Sequence, residues 1–257
     1  MNSMTTRIKT YIRSRPRLRT IAHTIVSELR HGTLRQLVHY LFNGHFVSRL
    51  RTHSLLTRGE TVCVQVGGGR HTIDGWLNGD ITAGDVYLDA RRRLPFPDNS
   101  IDIVFTEQFF EHLTYSDGLR FLREVYRVLK PGGVLRQSTP SLEGLIAVYE
   151  DSNPVVSRDK ALERHERNHR LSMSGALTAG VFLNDNFRLW GHRFIYDRNT
   201  LSHCYTEAGF TQLEWVAFGE SAHHQLRGLE RHSDEKWMEN AFVMICETLK
   251  PEAEPKT

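Results

Sequence analysis

Apolar and polar positions change their period several times along this chain. Val62, Val64 and Val66 alternate with Cys63 and Gln65 and run into Gly67, Gly68 and Gly69. A β-branched run of that kind predicts a buried strand opening into a turn without side chains. Further short strands are predicted around 76–80, around 86–88 and at 101–105, each bounded by Gly, Asp or Pro. From Ser116 the period lengthens: Leu119, Leu122, Val125, Tyr126 and Leu129 recur at three and four. That spacing predicts a helix with Ser116 as N-cap, Lys130 in its last turn and Pro131 as its stop. Gly132 and Gly133 then reverse the chain into a strand at 134–138, a strand, helix, strand crossover typical of parallel sheets. A helix at 199–208 ended by Gly209, and strands at 211–218 and 241–247, complete the regular pattern.

The remaining stretches are less periodic. Residues 21–50 carry apolar positions at loosely helical spacing, which predicts one or two helices leading into the core. Residues 142–188 are irregular and charged, and are expected to form a helical and loop insertion acting as a lid or substrate wall. The expected organisation is a basic helical extension over 1–56, a main domain over 57–250 with an insertion at about 142–198, and a disordered tail over 251–257.

Composition narrows the classes. The chain has 257 residues, a quarter of them charged, enough for one large domain with a substantial core. No apolar run reaches the roughly 18 residues of a membrane helix, and the N-terminus lacks the apolar core of a signal peptide, so a cytoplasmic location is expected. Cys63, Cys204 and Cys246 are scattered without the pairing of a zinc site or disulfide framework, and read as buried thiols. The net charge of +3 hides an asymmetry: between Arg7 and Arg51 ten Lys or Arg residues face one acid, Glu28. A solvated extension accounts for this, and so does peripheral docking on anionic lipid or on a phosphate-bearing substrate. Nucleic acid fits less well, since aromatic residues are not interleaved with the cations.

The glycine turn suggests a nucleotide-like cofactor, and its context argues against NAD or FAD. Gly67-Gly68-Gly69-Arg70-His71-Thr72 lacks the third glycine of G-x-G-x-x-G, and Asp80 follows too soon. Asp80 stands where an ionised carboxylate, an acceptor-only group, can take two ribose hydroxyls; a turn residue at a strand end is the plainer alternative. Gly67-Gly68-Gly69, Gly75 to Asp80, Asp89 with Leu94-Pro95-Phe96-Pro97-Asp98-Asn99-Ser100-Ile101-Asp102, Glu107 with Glu111-His112-Leu113, and Glu124 through Arg127-Val128-Leu129-Lys130-Pro131-Gly132-Gly133 together resemble the class I S-adenosylmethionine-dependent methyltransferases of the type 11 group. The resemblance spans about 61–145. The later stretch 190–197 and Ala208-Gly209-Phe210 look like the second half of the same domain.

That resemblance implies an α/β fold: a Rossmann-like seven-stranded, mostly parallel sheet with helices on both faces and the last strand antiparallel. It implies S-adenosyl-L-methionine as cofactor, with Gly67, Gly68 and Gly69 at the methionine end, Asp80 on the ribose, Asp89 and Ala90 on the adenine, and Thr106 and Glu107 facing the sulfonium. Gln65 stands where many relatives carry an acid near the cofactor's ammonium, and the interval from Gly69 to Asp80 is too short for a full first helix.

Methyl transfer is an in-line displacement that alignment alone promotes strongly, so a base is optional. For a hydroxyl acceptor the candidate bases are Glu107, His112 and His192. Against these stand structural roles: His112 as a helix-start residue bonded to backbone, His192 as a lock between insertion and sheet, Glu107 as a cofactor-side residue. No metal is expected. His165 and His169 have ligand spacing, but no third ligand is fixed by the sequence, and a solvated charged helix explains them. The expected function is methyl transfer to an oxygen of a small molecule or glycan, related to cell-surface polysaccharide by family analogy. The alternative is a non-catalytic cofactor-binding module or partner subunit.

Overall fold

The computed structural model of the protein describes residues 33–57, 59–169, 177–231 and 236–252. The basic positions up to Arg30, Arg170, His232, the side chain of His169 and the tail from 253 lie outside the described residues. Seven strands form one sheet in the order β3-β2-β1-β4-β5-β7-β6. β1 (Cys63–Val66), β2 (Leu77–Asp80), β3 (Val86–Tyr87), β4 (Ile101–Glu107) and β5 (Leu129–Pro140) run parallel. β7 (Val243–Leu249) inserts antiparallel between β5 and β6 (Gln212–Val216). The Rossmann-like sheet with its antiparallel last strand is therefore present, and helices flank it. β1 is buried along its whole length, as a central parallel strand must be.

The strand period of two gives the sheet two different faces. On one face Val64, Val66, Val104 and Leu135 pack under α3 (Tyr115–Val128) and α7 (Arg198–Ala208), whose Phe121, Leu122, Val125, Leu201 and Tyr205 are fully buried. On the other, Cys63, Ile103 and Val134 meet Trp76, Leu226 and Leu229 from connecting segments. No helix separates β1 from β2, consistent with the short Gly69 to Asp80 interval. Instead the loop following β6, with one 3-10 turn at His224–Leu226, covers this face.

A buried ion cluster ties that loop down. Gln65, Phe105, Arg136 and Glu247 lie abreast across four strands. The Arg136 guanidinium, wholly buried, donates to Glu230 at 2.6 Å, to the Glu220 carbonyl at 2.7 Å and to Glu247. A charge removed from water needs partners of this kind.

The other helices sit at the ends and edge. α4 (Leu142–Tyr149), α5 (Arg158–His169), α6 (Ala179–Arg188) and α8 (Lys236–Phe242) share a separate apolar cluster around Leu145, Val148, Phe182 and Phe242, beyond the C-terminal end of β5. α1 (Thr33–Asn43) and α2 (His45–Leu56) lie along the β3 edge. Tyr40 meets Tyr87 edge to face at 5.1 Å, and Arg35 Nε donates to the Thr82 carbonyl at 3.0 Å.

Four details differ from expectation. Thr114, not Ser116, caps α3: its extended backbone lets Oγ1 accept the Asp117 amide. Lys130 is not in the helix, which ends at Val128; it is the second residue of β5 and donates to both oxygens of Asp102, which also accepts the Val62 amide. The last strand begins at Val243 rather than 241, because α8 continues through Phe242. His165 is not solvated: it is buried beside Phe182, with Nε2 at 2.8 Å from Asp185. The three cysteines are buried thiols, as expected.

Candidate active site

The carboxyl ends of β1 and β2 form the first half of the site. Gly67 has φ +77 and donates its amide to the Gly79 carbonyl at 2.8 Å. A Cβ there would sit 2.1 Å from the Phe109 ring, and one on Gly68 would sit 2.5 Å from the Gln65 amide. The first two glycines thus make room for the protein's own side chains. Gly69 differs: its φ of +57 favours glycine, and a Cβ would meet nothing within 4 Å. The open end of the turn is therefore at Gly69.

Asp80 closes this half. Its Oδ2 accepts the Gly69 amide at 3.1 Å, and Oδ1 accepts the Thr82 amide at 2.6 Å and the Thr82 hydroxyl at 2.7 Å. A carboxylate offers about four acceptor positions, so one remains, and the rotatable Thr82 hydroxyl can yield a second. A ribose diol needs two. The turn before β2 is set by buried Asn78, whose Oδ1 accepts the Ile73 amide at 2.8 Å and whose Nδ2 donates to the carbonyls of Ile73 and Trp76 and to Asp85. Nothing in the spacing singled out Asn78 as that anchor.

Asp89 and Ala90 follow β3. The Asp89 carboxylate is held by Arg91 through Nε at 2.8 Å and Nη2 at 2.9 Å. Burial raises its pKa, but the hydrogen bonds from the Arg91 side chain and backbone outweigh burial and leave it below the usual range. Ala90 is buried. The next turn is clamped from α3: Glu124 accepts the Leu94 amide at 2.9 Å, and Arg127 donates to the carbonyls of Leu94 and Phe96 and to Asp98. Part of the family-like motif is thus structural, fixing the segment between β3 and β4.

The second half begins where β4 ends. Thr106 is fully buried, and its hydroxyl has no hydrogen-bond partner. Glu107 accepts the Arg231 amide at 2.8 Å, so the loop over the second sheet face reaches this point. Gln108 has φ +46, and a 3-10 turn at Phe110–His112 follows. Glu111, on that turn, is wholly buried: Oε2 accepts the Thr139 hydroxyl at 3.1 Å, and Oε1 has no hydrogen-bond partner. Burial pushes its carboxyl up to about 8, and the nearby Glu107 acts in the same direction.

His192 arrives from the insertion through a left-handed turn at Trp190, φ 57, and Gly191, φ +87. Its Nδ1 lies 2.6 Å from the Asn186 carbonyl. A carbonyl only accepts, so Nδ1 carries the proton and Nε2 presents a lone pair. That lone pair faces Glu111 Oε1 at 4.0 Å, and His112 Nε2 stands 3.9 Å from the same oxygen. Burial holds the His192 pKa below the usual value, partly offset by Asn186, which keeps the ring neutral near pH 7. The structure brings His112 and His192 together, ring centroids 5.1 Å apart, with Glu107 nearby. Glu111, present in the motif without an assigned role, is their shared neighbour. Phe109 joins the halves: its ring lies over Gly67, and its carbonyl accepts the His112 amide at 3.1 Å.

An open α/β sheet binds ligands at the carboxyl ends of its strands, where these residues converge. A family model described as a methyltransferase domain matches residues 78–136. A Mycolicibacterium smegmatis protein described as a probable S-adenosylmethionine-dependent methyltransferase is 50% identical over 48 residues, covering 19% of this chain and 18% of its own length. The ubiquinone/menaquinone biosynthesis C-methyltransferase of Escherichia coli is 30% identical over 131 residues, 50% of this chain and 47% of that protein. The chain thus spans less than half the length of either relative. A solved S-adenosylmethionine-dependent methyltransferase from Thermotoga maritima, described as a possible histamine N-methyltransferase, superposes with TM-score 0.44 at 19% identity, covering 88% of this chain and 95% of that one. Residues 78–136 are thus similar to S-adenosylmethionine-dependent methyltransferase domains, and they lie within a seven-stranded Rossmann-like sheet.

Proposed function

We propose that the protein transfers a methyl group from S-adenosyl-L-methionine to an oxygen of a small molecule or glycan. The observation that carries the reading is the pairing of Gly69, open and left-handed, with Asp80 at the ends of two adjacent parallel strands. Bound there, the cofactor supplies an electrophilic methyl group on a sulfonium. Asp80 and Thr82 hold the ribose hydroxyls, the backbone at Gly69 takes the methionine end, and the segment at Asp89 and Ala90 flanks the adenine. Oxygen as acceptor rests on the second half of the site, because a hydroxyl must lose a proton as the carbon–oxygen bond forms. His192, neutral and with Nε2 unprotonated, can accept it, with His112 beside it and Glu107 close to their shared neighbour Glu111. The E. coli relative is a C-methyltransferase by name, so the acceptor atom is this protein's own question.

The test is calorimetry with S-adenosyl-L-methionine and its demethylated product, followed by methyl transfer across a panel of hydroxylated small molecules and glycans. Binding lost in Asp80→Ala, with turnover in the wild type, supports the reading. Binding without turnover on any acceptor favours the non-catalytic module.

We also propose a peripheral contact with anionic membranes. Leu37, Val38, Leu41 and Phe42 form an exposed apolar strip on α1, with Leu41 68% and Phe42 73% exposed, next to the basic N-terminal sequence. Among the described residues no helix is long and apolar enough to cross a membrane. Salt-sensitive co-sedimentation with phosphatidylserine vesicles is expected. Equal binding after replacement of Leu41 and Phe42 by Ser would remove the apolar part of this proposal.

A further inference from the structure

Glu111, His112 and His192 each bring one ligand atom to a common point, all three atoms lying within 4.8 Å of one another. From this geometry we propose that they bind one divalent transition-metal ion of the zinc type, in addition to the cofactor. The donor set is two imidazole nitrogens and one carboxylate oxygen, which suits a borderline-soft cation.

Three observations converge on that point. Glu111 Oε1 is wholly buried, lacks a hydrogen-bond partner and lies 3.9 and 4.0 Å from the two Nε2 atoms. Tetrahedral coordination with bonds of about 2.0–2.1 Å places ligand atoms about 3.3 Å apart, so modest side-chain shifts suffice. His192 already has the outer hydrogen bond that metal-binding histidines use: Nδ1–H donates to the Asn186 carbonyl, which aims the Nε2 lone pair inward. The carboxylate is likewise oriented from behind by the Thr139 hydroxyl on Oε2. The His112 side chain is 36% exposed, which gives an ion a way in and leaves the solvent side of the cluster open. Three protein ligands with an open position is the arrangement of metal sites that hold a substrate oxygen. An acceptor hydroxyl bound there would lose its proton more easily, to water on the solvent side beside His112, so that no free imidazole base is needed. In that last respect the inference rests on the proposed methyl transfer; the metal site itself does not.

The test uses the full chain, stripped with chelator and then equilibrated with Zn2+ alone. Bound zinc is counted by elemental analysis after gel filtration, and Co2+ is titrated as a visible-absorption probe. One zinc per chain is expected, with affinity falling by about 100-fold or more in His112→Ala and in His192→Ala. His203→Ala, on the exposed face of α7, should leave it unchanged. Circular dichroism checks folding; if His192→Ala unfolds, the partly exposed His112→Ala decides. No stoichiometric zinc on folded wild type, or unchanged zinc in His112→Ala, overturns the site. Parallel calorimetry with the demethylated cofactor separates the two readings: zinc without cofactor binding sinks the cofactor assignment alone, and cofactor without zinc sinks the metal site alone.

Discussion

The two halves of the site are built differently. The Gly67–Asp80 half is local: fourteen residues in one β-turn-β unit, held by backbone hydrogen bonds and by Asp80 and Asn78. The Glu111, His112 and His192 half is assembled over eighty residues, from the end of β4 and a turn in the insertion. The first offers fixed backbone and one carboxylate; the second offers side chains that can adjust.

The largest expected separation comes from His192→Ala. Loss of a general base or metal ligand should cut kcat by roughly 10²–10⁴-fold, while calorimetry finds cofactor affinity unchanged. Cofactor binding lost in parallel would mean the halves are one unit. Arg136→Ala addresses what ties the two together, because Arg136 anchors the loop whose Arg231 amide holds Glu107. Removing one partner of a buried ion cluster should cost about 3–5 kcal/mol, read by urea denaturation. A cost under about 1 kcal/mol would mean the loop is held by Leu226 and Leu229 instead.

Glu124→Gln is a smaller probe of the cofactor half. Burial raises the Glu124 carboxyl, but the Arg127 and Leu94 hydrogen bonds outweigh it, so the folded pKa lies below the ordinary 4.5. Its contribution is therefore complete above that value and is lost as pH falls through the folded pKa. The variant should be about 1 kcal/mol less stable at pH 7, and the two proteins should converge in acid. A difference independent of pH would assign the effect to packing.

Legibility in the sequence follows the same division. The glycine turn and the mostly parallel sheet with its antiparallel last strand are legible because they rest on short-range patterns and a recognisable motif series. The spacing points to Ser116 rather than Thr114 as cap and to Lys130 as a helix-end residue, because terminal registers depend on which partner a side chain finds. The His192 pairing with Glu111 was invisible: it needs the left-handed turn at Trp190 and the docking of the insertion, neither of which has a local signature. The Arg136 cluster was equally hidden, since a lone arginine within a strand reads as an exposed residue.

The proposed cofactor site depends above all on Asp80 and the Gly69 turn. Calorimetric titration of the demethylated cofactor into wild type and Asp80→Ala tests it most directly. One site per chain is expected in the wild type, and affinity about 100-fold lower in the variant, the cost of two charge-assisted hydrogen bonds. Absence of binding to folded wild type, or equal affinity in the two proteins, would contradict it.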